Sequence, residues 1–233
     1  VSKIIDFIAQ DEHVWNVRPR PYPAIKGLPK WWKETPAYSN SENKFSLDPY
    51  PTVTVKRCVP TLDMLGAGYY VPLWADLYVT QKNERPWVQW ATNTPVVDTW
   101  SDFQGADFKI MDGYSKPFFK NFHGWTIKTP PGWSCIFMHP TAYPDLPFYT
   151  IPGIVDTDIY DAAINVPFVI KNNFEGMIEK DTPMFQIIPF KRDHWESNFS
   201  VKKPNQHFFD NEKLYSKINR AYFSLMKDKK TYV

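Results

Sequence analysis

Residues 151–161 read IPGIVDTDIYD, a turn into an apolar run that ends in two aspartates one residue apart. Asp156 and Asp158 are the residues of this chain whose type and spacing best suit acid–base chemistry, since a carboxylate at a strand end can activate a water molecule. The structural alternative is local. Aspartates flanking a strand accept backbone N–H groups and form Asx-turns. A second group lies in KRCVPTLDMLGAGYYVPLWAD, where Lys56, Arg57, Asp63 and Asp76 border an aromatic run and Tyr70 and Trp74 offer stacking faces. Core packing is the commoner use of such rings, whereas Lys56 and Arg57 suit an anion.

Other chemistries lack their residue patterns. His13, His123, His139, His194 and His207 form no His-x-His or His-x-Asp pair with strand spacing, so no metal site is expected. In RDHWE (192–196), His194 stands beside Asp193 and Glu196 in what reads as a surface turn beyond the last strand. No GxSxG elbow accompanies Ser134, and GAGY (66–69) lacks both the Walker lysine and the dinucleotide-binding spacing. Cys58 and Cys135 are isolated, which excludes a zinc cluster and a disulfide framework and suits a reducing cytosol.

The elements that must position these residues are mostly β. Of 233 residues, 17% are aromatic, and 22 Pro against 9 Gly interrupt the chain too often for long central helices. TVTVKRCVP (52–60), YYVPLWADLYVTQ (69–81), WVQWATN (87–93), FKIMDG (108–113), GWTIKTPPGWSCIFMHP (124–140), GIVDTD (153–158), INVPFVIKN (164–172) and TPMFQIIPF (182–190) read as strands. TLDMLGAGY (61–69) reads as a helical or turn insert ended by Gly66 and Gly68. Residues 2–17 fit either a strand or a short helix.

Residues 18–38 place prolines among Tyr22, Trp31 and Trp32, which predicts an extended, polyproline-like arm lying on the body or on a neighbouring subunit. Residues 39–49 read as a polar loop. In 210–230, Leu214, Ile218, Tyr222 and Leu225 follow helical spacing, with Asp210 or Asn211 as cap candidates. The expected layout is one globular domain: an arm and loop over 1–50, a β body over 51–200 and a basic amphipathic helix over 201–233.

The net charge of +2 is too small to imply nucleic-acid binding. Residues 201–233 hold eight Lys/Arg against three acids, a run that reads as a solvated helix face. No run approaches the ~18 apolar residues that span a bilayer, and no export leader is legible, so a soluble protein without membrane contact is expected.

TPPGWSCIFMHP (129–140), GIVDTDIY (153–160) and DTPMFQIIPF (181–190) resemble, in sequence and order, the β-clip core of dUTPases and dCTP deaminases. The resemblance implies a β-clip or jelly-roll-like sandwich or barrel, the water-activating aspartate at Asp156, and the glutamine of the family's last strand at Gln186. It also implies a homo-oligomer, a trimer by analogy. The departures bear on chemistry. His139, Pro140 and Thr141 stand where the family has an arginine–serine pair for the phosphates, Ile159 replaces its sugar-stacking tyrosine, and Asp161 and Ala162 replace Arg and Gly. INVPFVIKN also has no glutamate to shuttle a deaminase proton.

LPKWWKETP (28–36), TVKRCVPTLDMLGAGYYVPLWADLYV (54–79), HGWTIKTPPGW (123–133) and GIVDTD (153–158) with FQIIPFKR (185–192) resemble uncharacterised proteins of tailed phages, especially those of marine cyanobacteria, and bacterial relatives of unknown function. Together these readings imply a non-catalytic binding or assembly protein in an infected bacterial cytoplasm or a virion. Trp31 and Trp32 of the arm would contact a phage or host partner or a second copy, with no cofactor. The alternative is a dUTPase-like nucleotide hydrolase using Asp156 with Asp158 and Mg²⁺.

Overall fold

The computed structural model describes residues 3–38, 54–101, 103–201, 203, 206 and 228–233. Within them, 14 strands form four antiparallel sheets, few helices are present, and no sheet closes into a barrel. The five-stranded sheet runs β11 (Gly153–Val155), β9 (Trp133–Met138), β14 (Pro183–Lys191), β3 (Tyr69–Pro72) and β2 (Tyr22–Pro23). The four-stranded sheet runs β10 (Phe148–Thr150), β12 (Val166–Lys171), β7 (Tyr114–Asn121) and β6 (Val97–Thr99). β13 (Gly176–Ile178), β4 (Leu77–Lys82) and β5 (Arg85–Gln89) form a third sheet, and β1 (Asp6–Ala9) pairs with β8 (Trp125–Lys128).

Alternation explains how these sheets share one core. Val71 and Leu73 from one sheet, Leu77 and Val79 from another, and Phe119, Phe148 and Phe168 from the third are buried together with Phe137, Phe185 and Ile187. Outward residues such as Tyr78 and Thr80 alternate with them. The mostly β expectation therefore holds, as a sandwich-like stack of antiparallel sheets.

Several local expectations do not hold. Of the strand expected over 52–60, residues 54–60 instead enter a 3-10 turn (Val55–Arg57) and helix α3 (Val59–Leu65). Thr54 Oγ1 accepts the Lys56 N–H at 3.2 Å, and Pro60 occupies the first turn, where its missing donor costs nothing. Residues 69–81 are not one strand: the chain leaves β3 at Pro72 and enters a different sheet at Leu77. Residues 108–113 are not a strand, and β7 starts at Tyr114.

The N-terminal region carries β1 and helix α1 (Glu12–Val17), capped by the Asp11 carboxylate on Val14 N–H at 2.7 Å. The expected extended arm contains helix α2 (Lys30–Glu34), which buries Trp32 against Leu28, Leu65 and Ala142. The arm thus packs on its own body. The predicted 39–49 loop lies outside the described residues. So does the C-terminal helix apart from residues 228–230, which are not helical. No helix among the described residues is long and apolar enough to cross a membrane.

His123 gives the core a pH dependence. Its Nε2 lies 2.6 Å from Ile164 O and its Nδ1 3.1 Å from Trp125 N. A carbonyl can only accept and an amide can only donate, so the ring is neutral with its proton on Nε2. Burial, with a smaller push from the Arg18 charge, lowers its pKa to about 4. The unfolded chain, with histidine near 6.5, therefore binds more protons between pH 4 and 6.5, and stability rises with pH across that window. Acidification from pH 6.5 to 4 is expected to remove about 3 kcal/mol, read from urea midpoints, and His123→Gln is expected to flatten that slope.

Candidate functional site

Strand order brings the two aspartates to their partner. β9 lies between β11 and β14, with Val155 opposite Cys135 and Lys191 opposite Trp133. The end of β11, the start of β9 and the end of β14 therefore meet at one edge of the sheet. After Val155 the chain turns: Ile159 N–H and Tyr160 N–H donate to Asp156 O at 3.0 and 2.8 Å, which aims both aspartate side chains at that edge.

Arg192, the first residue after β14, fills the space between them. Its Nη1 and Nη2 donate to Asp158 Oδ1 and Oδ2 at 2.8 and 2.5 Å, a bidentate pair, and Gly132 N–H donates to Oδ2 at 2.8 Å. Arg192 Nη1 also donates to Ser134 Oγ at 2.8 Å, and the Ser134 hydroxyl donates to Asp156 Oδ1 at 2.6 Å. Asp156 Oδ1 lies 3.2 Å from the same guanidinium nitrogen.

The two carboxylates differ in access. The Asp158 side chain is 7% exposed and that of Asp156 54%. The hydrogen bonds from Arg192 pull the Asp158 pKa down to about 2, against the opposing effect of desolvation, and the pair holds the arginine above its ordinary value. Asp158 is thus an ionised tie between three strands. Its backbone donor is 26 residues away in sequence, so the contact is tertiary and not the local Asx-turn expected. Asp156 has a carboxylate that solvent reaches beside a hydroxyl and a cation.

The other sequence candidates fall in two places. Trp31, Trp32, Lys56, Tyr70 and Gln186 meet at the junction of the N-terminal region and the body. Trp31 Nε1 donates to Ala142 O at 2.9 Å, and the residue is 42% exposed. The Lys56 ammonium donates to the carbonyls of Trp32 and Lys33, the C-terminal end of α2, and lies 5.0 Å from the Trp32 ring centroid. Arg57 sits over Tyr38 at 5.1 Å. Tyr70 is fully buried, donates to Leu65 O at 3.2 Å and has its pKa raised by burial.

Gln186 is also fully buried: Oε1 accepts Thr141 N–H and Oγ1–H, while Nε2 donates to Ala67 O and Met64 O. Trp74 lies elsewhere, buried, with its indole N–H on Phe122 O at 3.0 Å. Neither Tyr70 nor Trp74 presents a stacking face to solvent, and neither is brought to Asp156. Asp76 accepts Lys180 N–H at 2.7 Å, and Asp63 pairs with Lys230 at 3.1 Å.

Sequence reasoning missed Arg192. It stands 34 residues from Asp158 at the end of an apolar strand, and only the β9–β14 register shows where it lands. Among the described residues, no three His, Cys, Asp or Glu side chains are grouped to hold a metal ion.

No protein-family model matches the chain, and comparison with curated proteins and with solved structures likewise gives no match.

Proposed function

We propose that this chain is a non-catalytic binding or assembly protein of the phage type, built on a β scaffold. The observation that carries the reading is the segment after Arg192. Residues 193–201 form neither helix nor strand and are exposed, with Trp195, Phe199 and Val201 at 85, 92 and 97% exposure. Three large apolar side chains therefore lie open to solvent within seven residues of chain. Exposed apolar side chains clustered in this way mark an interaction site. This segment joins Trp31 in the partner-binding role that sequence assigned to Trp31 and Trp32: Trp32 is buried in its own body, whereas Trp31 keeps 42% of its surface exposed. Asp158, neutralised by Arg192, supports the absence of catalysis at the paired acids.

A second reading is favoured by one observation: Asp156 is accessible, with Ser134 Oγ and Arg192 Nη1 beside it. This is the nucleotide-hydrolase alternative, with Mg²⁺ as its cofactor. Sedimentation of the full chain and of a Trp195→Ser/Phe199→Ser/Val201→Ser variant separates the two, alongside assays of nucleoside triphosphate hydrolysis and deamination with and without Mg²⁺. The assembly reading expects a homo-oligomer that the triple variant converts to monomer, and no turnover. Turnover abolished by Asp156→Asn would establish the hydrolase instead, and a monomeric parent chain would remove self-assembly.

A further inference from the structure

Arg18, immediately after α1, carries a charge that no carboxylate meets within 4 Å among the described residues. Asp11 acts on it through space, but its Oδ1 already caps α1 at Val14 N–H. The guanidinium is nevertheless firmly held. It lies over the Trp74 ring at 4.4 Å from the centroid, and Nη1 donates to Phe122 O at 2.6 Å. Gly124 makes room for it: a Cβ there would fall 2.8 Å from Nη1 and 3.3 Å from Cζ, on a backbone with φ +75°. The Nε–H is buried and has no protein acceptor among the described residues.

A guanidinium offers its donors in a fork that matches two oxygens, and Arg18 Nη1 already has one acceptor in Phe122 O. Arg18 borders a cavity of about 350 Å³ that Gln10, Thr94 and Asn165 also line. These three supply neutral hydrogen-bonding groups. Arg18 is the single ionisable residue of the lining, so the cavity offers one positive charge.

We propose that this cavity binds a singly charged oxyanion group of a small molecule, a carboxylate or a phosphodiester, with Arg18 as the charged contact and Gln10, Thr94 and Asn165 as neutral ones. The cavity shares no lining residue with the Asp156–Arg192 cluster, and the proposal is independent of the function proposed above.

The test follows the Arg18 Nε–H resonance by ¹⁵N-resolved NMR of the full chain, titrated separately with acetate and with dimethyl phosphate at constant ionic strength. A saturable shift with either probe is expected, and the tighter-binding probe identifies the oxyanion class. Asn165→Asp, a change at an exposed position, places a carboxylate in the lining and is expected to weaken binding by about tenfold or more. Arg18→Lys is expected to lose binding. No shift with either probe would overturn the proposal, as would equal affinity in the folded Asn165→Asp variant.

Discussion

Gly68→Ala is expected to leave little or no folded protein. Gly68 enters β3 with φ +64°, and an alanine Cβ would lie 1.8 Å from Ile187 O, 2.8 Å from Ile187 C and 3.1 Å from Ile188 Cα. All three are backbone atoms of β14, which is hydrogen-bonded on both sides, to β9 and β3, and cannot step aside alone. Moving the Gly68 segment outward instead would break its own bond, Ala24 N–H to Gly68 O at 2.9 Å, which ties the N-terminal region to the sheet. A loss above about 4 kcal/mol is expected, in the range reserved for overpacking and backbone strain together.

Gly113→Ala is the control. Gly113 also has positive φ, at +87°, but nothing lies within 4 Å of its would-be Cβ. Its cost should be the conformational one alone, about 1–2 kcal/mol. Urea unfolding followed by circular dichroism compares the two. A Gly68→Ala protein as stable as Gly113→Ala would refute the close approach of residue 68 to β14.

Gln186→Leu is the second large effect. The side chain is fully buried in the middle of β14 and serves four partners at once: Thr141 N–H and Oγ1–H at 3.0 and 2.9 Å, Ala67 O at 2.7 Å and Met64 O at 3.2 Å. Leucine fills much of the volume and meets none of them. Thr141 Oγ1 also lies 3.3 Å from Met64 O and can turn to it, and Met64 O keeps the Gly66 N–H as a donor, but Thr141 N–H and Ala67 O are stranded. Each buried orphan costs about 1–3 kcal/mol, so the expected loss is roughly 2–6 kcal/mol.

The damage should spread through the junction that these groups hold. Tyr143, two residues beyond Thr141, bonds Gly27 O, and Trp31 bonds Ala142 O, so the N-terminal region is clasped to the same turn. Limited proteolysis is therefore expected to cleave within residues 22–38 before the rest of the Gln186→Leu chain. Uniform resistance there, with unchanged urea midpoint, would show that the amide is not the anchor.

Much of the β body was legible because a strand half-buried on a core alternates its residue types. INVPFVIKN and TPMFQIIPF became β12 and β14, and GIVDTD became β11. What failed were places where two local signals conflict. In TVTVKRCVP the β-branched alternation predicts a strand, yet Thr54 and Pro60 are equally good signals for helical turns, and those won. The proline-rich stretch 18–38 hid α2 because its prolines fall outside Lys30–Glu34, with Pro29 just before the helix. For the candidate site, Asp156 and Asp158 were found because paired acids at a strand end are visible in one dimension. Arg192 was not, because its partnership spans 34 residues and one strand register.

Composition and periodicity by themselves determined that this chain folds mostly as β structure and that its acids stand at the end of a strand. The physical reason is that residue alternation and turn chemistry act between near neighbours, and near neighbours are what a sequence displays. Tertiary structure alone decided what those residues do: Asp158 became one half of a bidentate ion pair, Tyr70, Trp74 and Gln186 went into the interior, and Arg18 was left charged and stacked, with no carboxylate partner, beside a cavity. Each of those outcomes depends on distance between remote segments, which sheet order sets and no local pattern encodes.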